Sequence, residues 1–132
     1  MIEIDFHKKL DYEEIEIKNY IRCSVQKCFE TLKKDQEDYY VSIFLTNNYD
    51  MKKLNNKFRK INKPTNVLSF TQDEKFLLSE SKHVLLLGDI VISLEKISSE
   101  AKDLGKKFSD HFMHICIHGL LHLFGYNHKK KI

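Results

Sequence analysis

The run His83-Val84-Leu85-Leu86-Leu87-Gly88-Asp89-Ile90-Val91-Ile92-Ser93 is the most apolar stretch of the chain and reads as a strand. Gly88 interrupts it, the mark of a bulge or of a close approach by another part of the chain. Ser93 closes the run and can cap a helix reaching about Leu104, where Gly105 ends it. Ser109 can start a last helix that runs into His118-Gly119-Leu120-Leu121-His122-Leu123-Phe124-Gly125-Tyr126-Asn127-His128.

Upstream, Ile2, Ile4 and Phe6 alternate with Glu3 and Asp5, the period of a half-buried strand. From about Tyr12 to Leu32, apolar residues at Ile17, Ile21, Val25, Cys28, Phe29 and Leu32 recur at three and four, as on an amphipathic helix. Lys33 to Asp38 reads as a charged connector, and Tyr39 to Leu45 as a buried β-branched and aromatic strand. Asn47 or Asn48 can cap a helix from about Tyr49 to Lys60 with Met51, Leu54 and Phe58 on its core face. Pro64 separates it from a short strand, Asn66 to Phe70, and Thr71 to Lys82 reads as a loop or hairpin connection. Helices and strands in mixed order predict one α+β domain over residues 1–132. The expected architecture is a small mixed sheet of about four strands packed with about four to five helices.

Composition narrows the function classes. At 132 residues with 42% hydrophobic content, nine Phe and six Tyr, the chain can build a core without staples. Three cysteines form no disulfide framework, and Cys23, Cys28 and Cys116 read as small buried residues in a reducing compartment. The N-terminus lacks a basic region followed by an apolar run, and no stretch is long enough to span a membrane, so a cytoplasmic location is expected. The net charge of +3 is modest, but its distribution is uneven. Acid clusters at Asp11, Glu13, Glu14 and Glu16, while Lys52, Lys53, Lys57, Arg59, Lys60 and Lys63 crowd one stretch and Lys129 to Lys131 another. Two basic runs beside a candidate metal site point to a polyanionic substrate.

The candidate metal site lies in the last helix. Side chains four apart share a helix face, so the imidazoles of His118 and His122 point the same way and can reach one cation at ~2.0–2.1 Å. Gly125 can close the helix in a left-handed C′ conformation, letting the chain double back with His128 over the same face. Three imidazoles leave a fourth tetrahedral position for water, as catalytic zinc sites do. The HxxxHxxGxxH spacing also fits the metzincin protease pattern, but Gly119 stands where that pattern needs a glutamate base. His114 lies near the same face and reads as a core or supporting residue, with a fourth-ligand role as the alternative. His7 and His83 read as structural or exposed.

Three blocks together resemble the YbeY family of metal-dependent endoribonucleases: Leu54 to Arg59 leading into Pro64 to Phe70, Leu87 to Ser93, and His118 to His128. The resemblance runs from end to end. It implies His118, His122 and His128 as ligands of one Zn2+ per chain, and Arg59 and His118 as catalytic residues. Arg59, taken alone, would read as an ordinary surface cation at a helix end. The implied activity is single-strand RNA cleavage in 3′-end maturation of small-subunit rRNA and in ribosome quality control. The implied partners are RNA and a ribosomal protein or GTPase; a monomer is the default expectation for the chain. Lys57, Lys60 and Lys63 would hold flanking phosphates beside Arg59. A zinc-activated water, its pKa lowered toward ~7, would serve as nucleophile or as base for the 2′-hydroxyl.

Asn66 and Asn127 stand where the family usually has Asp, and Thr71 where it usually has Pro. If such carboxylates orient the ligands, their loss lowers metal affinity by ~10–100-fold. Two rival readings remain at this level. One is an RNA- or ribosome-binding module with a closed structural zinc site, His114 supplying a fourth ligand. The other is a zinc hydrolase of a small substrate, with a narrow pocket and little salt dependence. Imidazole ligands also suit nickel, copper and iron.

Overall fold

In the computed structural model, residues 2–8, 14–33, 39–71, 75–79 and 82–125 are described. In chain order the elements are β1 (Ile2–Lys8), α1 (Glu14–Leu32), β2 (Tyr39–Thr46), α2 (Asn48–Arg59), β3 (Val67–Thr71), β4 (Lys75–Ser79), β5 (Lys82–Ser93), α3 (Leu94–Leu104) and α4 (Phe108–Leu123). The expected α+β class holds, with five strands and four helices among the described residues.

The apolar run 83–93 falls within β5, and the sheet is built around it. β1 pairs parallel with β2, and β2 parallel with β5. β3 and β4 pair antiparallel with β5, so the hairpin reading of the 71–82 connection holds and the connection contributes a strand of its own. The interruption at Gly88 has both expected forms. The β2–β5 register jumps from Tyr40–Leu86 to Val41–Gly88, the mark of a bulge. Gly88 also sits at φ +135°, and a Cβ there would run into the carbonyl oxygen of Phe70 on β3.

Alternation along β5 divides the interior in two. Ile90 and Ile92 join Val41, Ile43 and Leu45 of β2 in the main core. That core is covered by Ile17, Ile21, Val25, Cys28 and Phe29 of α1 and by Phe112, Cys116 and Leu120 of α4, each element contributing residues at its own period. Val91 joins Met51 of α2 and Leu68 of β3 in a smaller core, with Phe44, Leu54 and Phe70 packed against it.

Local chemistry sets the helix ends. Asn47 caps α2 by accepting from Asp50 N–H at 2.9 Å, and Lys60 ends the helix in a left-handed conformation. Ser93 caps α3 by accepting from Lys96 N–H at 3.3 Å, and Gly105 closes it at φ +66°. The last helix starts one residue earlier than the Ser109 reading, at Phe108, with Lys107 at the N-cap position and no side-chain cap bond. Two other expectations need correcting. Cys23 is exposed, because it falls off the α1 face that buries Cys28, while Cys28 and Cys116 are buried as expected. Phe58 is 54% exposed: at the last turn of α2 it reaches past the small core and sets its ring edge-on to Phe70, with centroids 5.1 Å apart. The connector over 34–38 and the side chains of His7 and His83 lie outside the described residues. No described helix is long and apolar enough to cross a membrane.

Candidate metal centre and its cavity

Helix α4 is positioned by what it buries. Phe112, Cys116, Leu120 and Leu123 face the core, and Phe124 just beyond the helix makes edge-on contacts with Phe29 and Tyr39, centroids 5.4 Å apart in each case. Gly119 meets the sheet directly: a Cβ there would lie 3.3 Å from Ile90 Cγ2, Ser69 Oγ and Val67 Cγ2. Ser69 Oγ–H donates to the Gly119 carbonyl at 3.2 Å, tying β3 to the helix. Gly119 therefore sits close against the sheet, where any side chain would press on Ile90, Ser69 and Val67.

With α4 so placed, His118 and His122 project from it on one side, their ring centroids 4.6 Å apart and the planes tilted by 44°. Both are half-buried, and the Nε2 atom of His122 is buried. They line a cavity of about 380 Å³ together with Arg59, Thr65, Asn66, Val67, Ser69, His114 and Ile115. Arg59 arrives from the end of α2. The turn that follows it is pinned by buried Asn55, whose Nδ2–H donates to the Lys63 carbonyl at 2.8 Å.

The structure thus brings together Arg59, His118 and His122. His128, the third expected ligand, lies outside the described residues, as do Asn127 and the run Lys129 to Lys131. Among the described residues no group of three or more His, Cys, Asp or Glu is placed to hold a metal ion. Lys57, Lys60 and Lys63 are exposed and do not line the cavity. His114 is not a core residue: it is exposed, and it lines the cavity one turn before His118. Its ring is stacked 6.3 Å from that of His111.

The donor set suits a borderline cation such as Zn2+. The imidazoles of His114, His118 and His122 line the cavity at successive turns of α4, and no carboxylate or thiol is among the described lining residues. A larger cleft of about 840 Å³ lies on the α2 side of the sheet, among Phe44, Leu54, Phe58, Phe70, Asp50 and Asp89; its described lining has no imidazole. Burial there raises the pKa of Asp89, partly offset by a hydrogen bond from the Ser42 side chain.

Sequence reasoning missed a group behind the cavity. Glu100 of α3 accepts from Asn66 Nδ2 at 3.0 Å and contacts His111 Nε2 at 2.9 Å. The departure at Asn66 is thereby placed: its amide is turned to α3. The only sequence signal was that polar residues interrupt otherwise apolar helix faces.

One cavity of this α+β domain thus gathers three histidines of α4 and the arginine that ends α2. A family model described as Endoribonuclease YbeY matches residues 3–132, and the chain belongs to that family. Curated relatives named Endoribonuclease YbeY include one from Francisella philomiragia, 39% identical over 106 residues, covering 79% of this chain and 67% of the relative. Another, from Anaplasma phagocytophilum, is 41% identical over 98 residues, covering 74% and 60%. A third, from Persephonella marina, is 36% identical over 113 residues, covering 86% and 71%. The matched part of the chain is thus about two thirds of these relatives' own lengths. A solution structure of a Thermotoga maritima protein shares the fold, with a TM-score of 0.63, 23% identity, and coverage of 98% of this chain and 77% of that one.

Proposed function

We propose that this chain is a metal-dependent endoribonuclease that cuts single-stranded RNA, acting in 3′-end maturation of small-subunit rRNA and in ribosome quality control. The observation that carries the reading is the shared cavity of Arg59, His118 and His122: a permanently charged fork across from two imidazoles on one helix face. Membership of the Endoribonuclease YbeY family supports RNA as the substrate class.

His118 and His122 would hold one Zn2+, with His128 as the third ligand that the family resemblance implies. When bound, the ion supplies a Lewis acid and an acidified water at neutral pH. Arg59 pairs with the scissile phosphate through its planar fork and stabilises the charge that grows there. Gly119 contributes no carboxylate, so α4 offers no protein base beside the first histidine. In the transesterification route the 2′-oxygen bonds to phosphorus as the P–O5′ bond breaks, giving a 2′,3′-cyclic phosphate and a 5′-hydroxyl, with the proton passing from the 2′- to the 5′-oxygen by way of solvent; in the hydrolytic route water adds across the P–O bond and leaves a linear phosphate. Lys57, Lys60 and Lys63, exposed beyond Arg59, hold flanking phosphates and make binding salt-sensitive.

The test is cleavage of a single-stranded RNA by purified, zinc-loaded protein, with zinc content measured by elemental analysis. His118→Ala and His122→Ala should lose both metal and cleavage. Arg59→Ala should keep the metal and lose cleavage by roughly 100-fold or more, as removal of an oxyanion donor does. Full cleavage by the two histidine variants, or in excess chelator, overturns the reading.

A further inference from the structure

Behind the cavity wall, side chains from three parts of the chain meet on one oxygen. Glu100 Oε1 lies 3.0 Å from Asn66 Nδ2 and 2.9 Å from His111 Nε2. His111 is 5% exposed, and its other nitrogen, Nδ1, is buried without a hydrogen bond among the described residues. Asn66 is held by its backbone too, its carbonyl accepting from Ser93 N–H at 3.0 Å. It is also a lining residue of the cavity that holds Arg59 and His118.

An ionised carboxylate can only accept hydrogen bonds. Glu100 therefore decides two things at once. The Asn66 amide must turn its NH2 toward α3, and His111 must carry its proton on Nε2. With one N–H of Nδ2 given to Glu100, the amide turns its Oδ1 side, an acceptor, away from α3. Within an RNA backbone the phosphate oxygens are themselves acceptors, and the group that donates is the ribose 2′-hydroxyl.

We propose that Glu100 is a positioning residue that turns Asn66 so that its Oδ1 accepts the 2′-hydroxyl of the nucleotide whose phosphate Arg59 holds, making Asn66 a determinant of ribose over deoxyribose. The inference rests on the nuclease reading and adds a division of labour to it. Arg59 takes the phosphate and Asn66 takes the sugar. A site that hydrogen-bonds a hydroxyl rejects the analogue without one, because its own polar group is then left unpaired.

The experiment measures binding of a single-stranded RNA and of the all-deoxy strand of the same sequence, with nitrogen-15 NMR of the histidine and asparagine side chains in the same samples. Wild-type protein should prefer the RNA by roughly tenfold, the worth of one satisfied hydrogen bond in a partly buried site. Glu100→Ala frees the amide to rotate and should collapse the preference toward unity. Glu100→Gln, whose single Oε1 can accept both N–H groups, should keep most of it. Asn66→Ala should erase the preference while leaving the Glu100–His111 contact in place. NMR should show His111 protonated at Nε2 in wild type and in Glu100→Gln. A folded Glu100→Ala that keeps the full RNA preference overturns the proposal, as does a His111 protonated at Nδ1. A wild-type protein that cuts RNA yet binds both strands equally overturns this proposal alone; one that neither binds nor cuts RNA overturns the nuclease reading beneath it.

Discussion

Gly88→Ala should cost the fold several kcal/mol, and the cost can be assembled from two separable parts. The first is conformational: Gly88 sits at φ +135°, a region that costs a residue with a Cβ about 1–3 kcal/mol. The second is steric. The added methyl would run into the Phe70 carbonyl oxygen and lie 3.0 Å from the carbonyl carbon and 3.1 Å from Thr71 Cα. All three atoms are β3 backbone, so no side chain can rotate away; the strand itself has to shift, at an overpacking cost of about 1–3 kcal/mol. Together these make roughly 2–6 kcal/mol, a large share of the 5–15 kcal/mol that holds a typical domain. Gly105→Ala is the matched control. Gly105 is also left-handed, at φ +66°, but a Cβ there meets nothing within 4 Å, so only about 1 kcal/mol of conformational cost applies. Urea unfolding of the two variants, with slopes compared to confirm a common unfolded state, isolates the steric part as their difference. Because β3 carries Val67 and Ser69 to the cavity, Gly88→Ala should also lower RNA cleavage by more than its loss of folded protein explains. Equal destabilisation of the two variants would refute the claim that β3 is seated against Gly88.

The remaining predictions concern other contacts. Gly119→Glu should lose about 1–3 kcal/mol by thermal melting, since its Cβ would meet the side chains of Ile90, Ser69 and Val67 at 3.3 Å and those neighbours have to give way; a variant as stable as wild type would show that α4 has slack. Asp89 has its pKa raised above 3.8 mainly by burial, so the folded state holds the proton longer than the unfolded chain and stability falls as pH rises from about 4 through the raised value. Asp89→Asn should therefore gain on wild type over that window and show no gain below it, read from urea midpoints against pH; a constant difference at every pH refutes the linkage. Burial pushes the Cys28 thiol up to about 11 and Cys116 up to about 12, while Cys23 is exposed. A thiol reagent at pH 8 should thus label Cys23 rapidly and the other two only as fast as the protein opens.

What the sequence disclosed and what it withheld follow from the range over which each signal acts. The period of Ile17, Ile21, Val25 and Phe29, the capping by Asn47 and Ser93, and the interruption at Gly88 are local, and each appears where the residues place it. The hub on Glu100 is not local: its partners lie 34 and 11 residues away on other elements, and only the approach of α3 to α4 and to the start of β3 makes them neighbours. Phe58 shows a second limit, because a helical wheel gives a direction but not whether a neighbour is there to cover the last turn. Gly119 shows how far a local rule can reach once one contact is known. Residues four apart share a face, so His118 and His122 point to the cavity together; the residue next to His118 is turned by about 100° and points elsewhere. Here that direction is the sheet, at Val67, Ser69 and Ile90. A helix that sets its first histidine over this cavity while lying this close to β3 leaves little space for a side chain at the next position. The lack of a glutamate there accords with how closely α4 packs on the sheet, and on the nuclease reading the proton at the 2′-hydroxyl leaves by a route other than a carboxylate at this position.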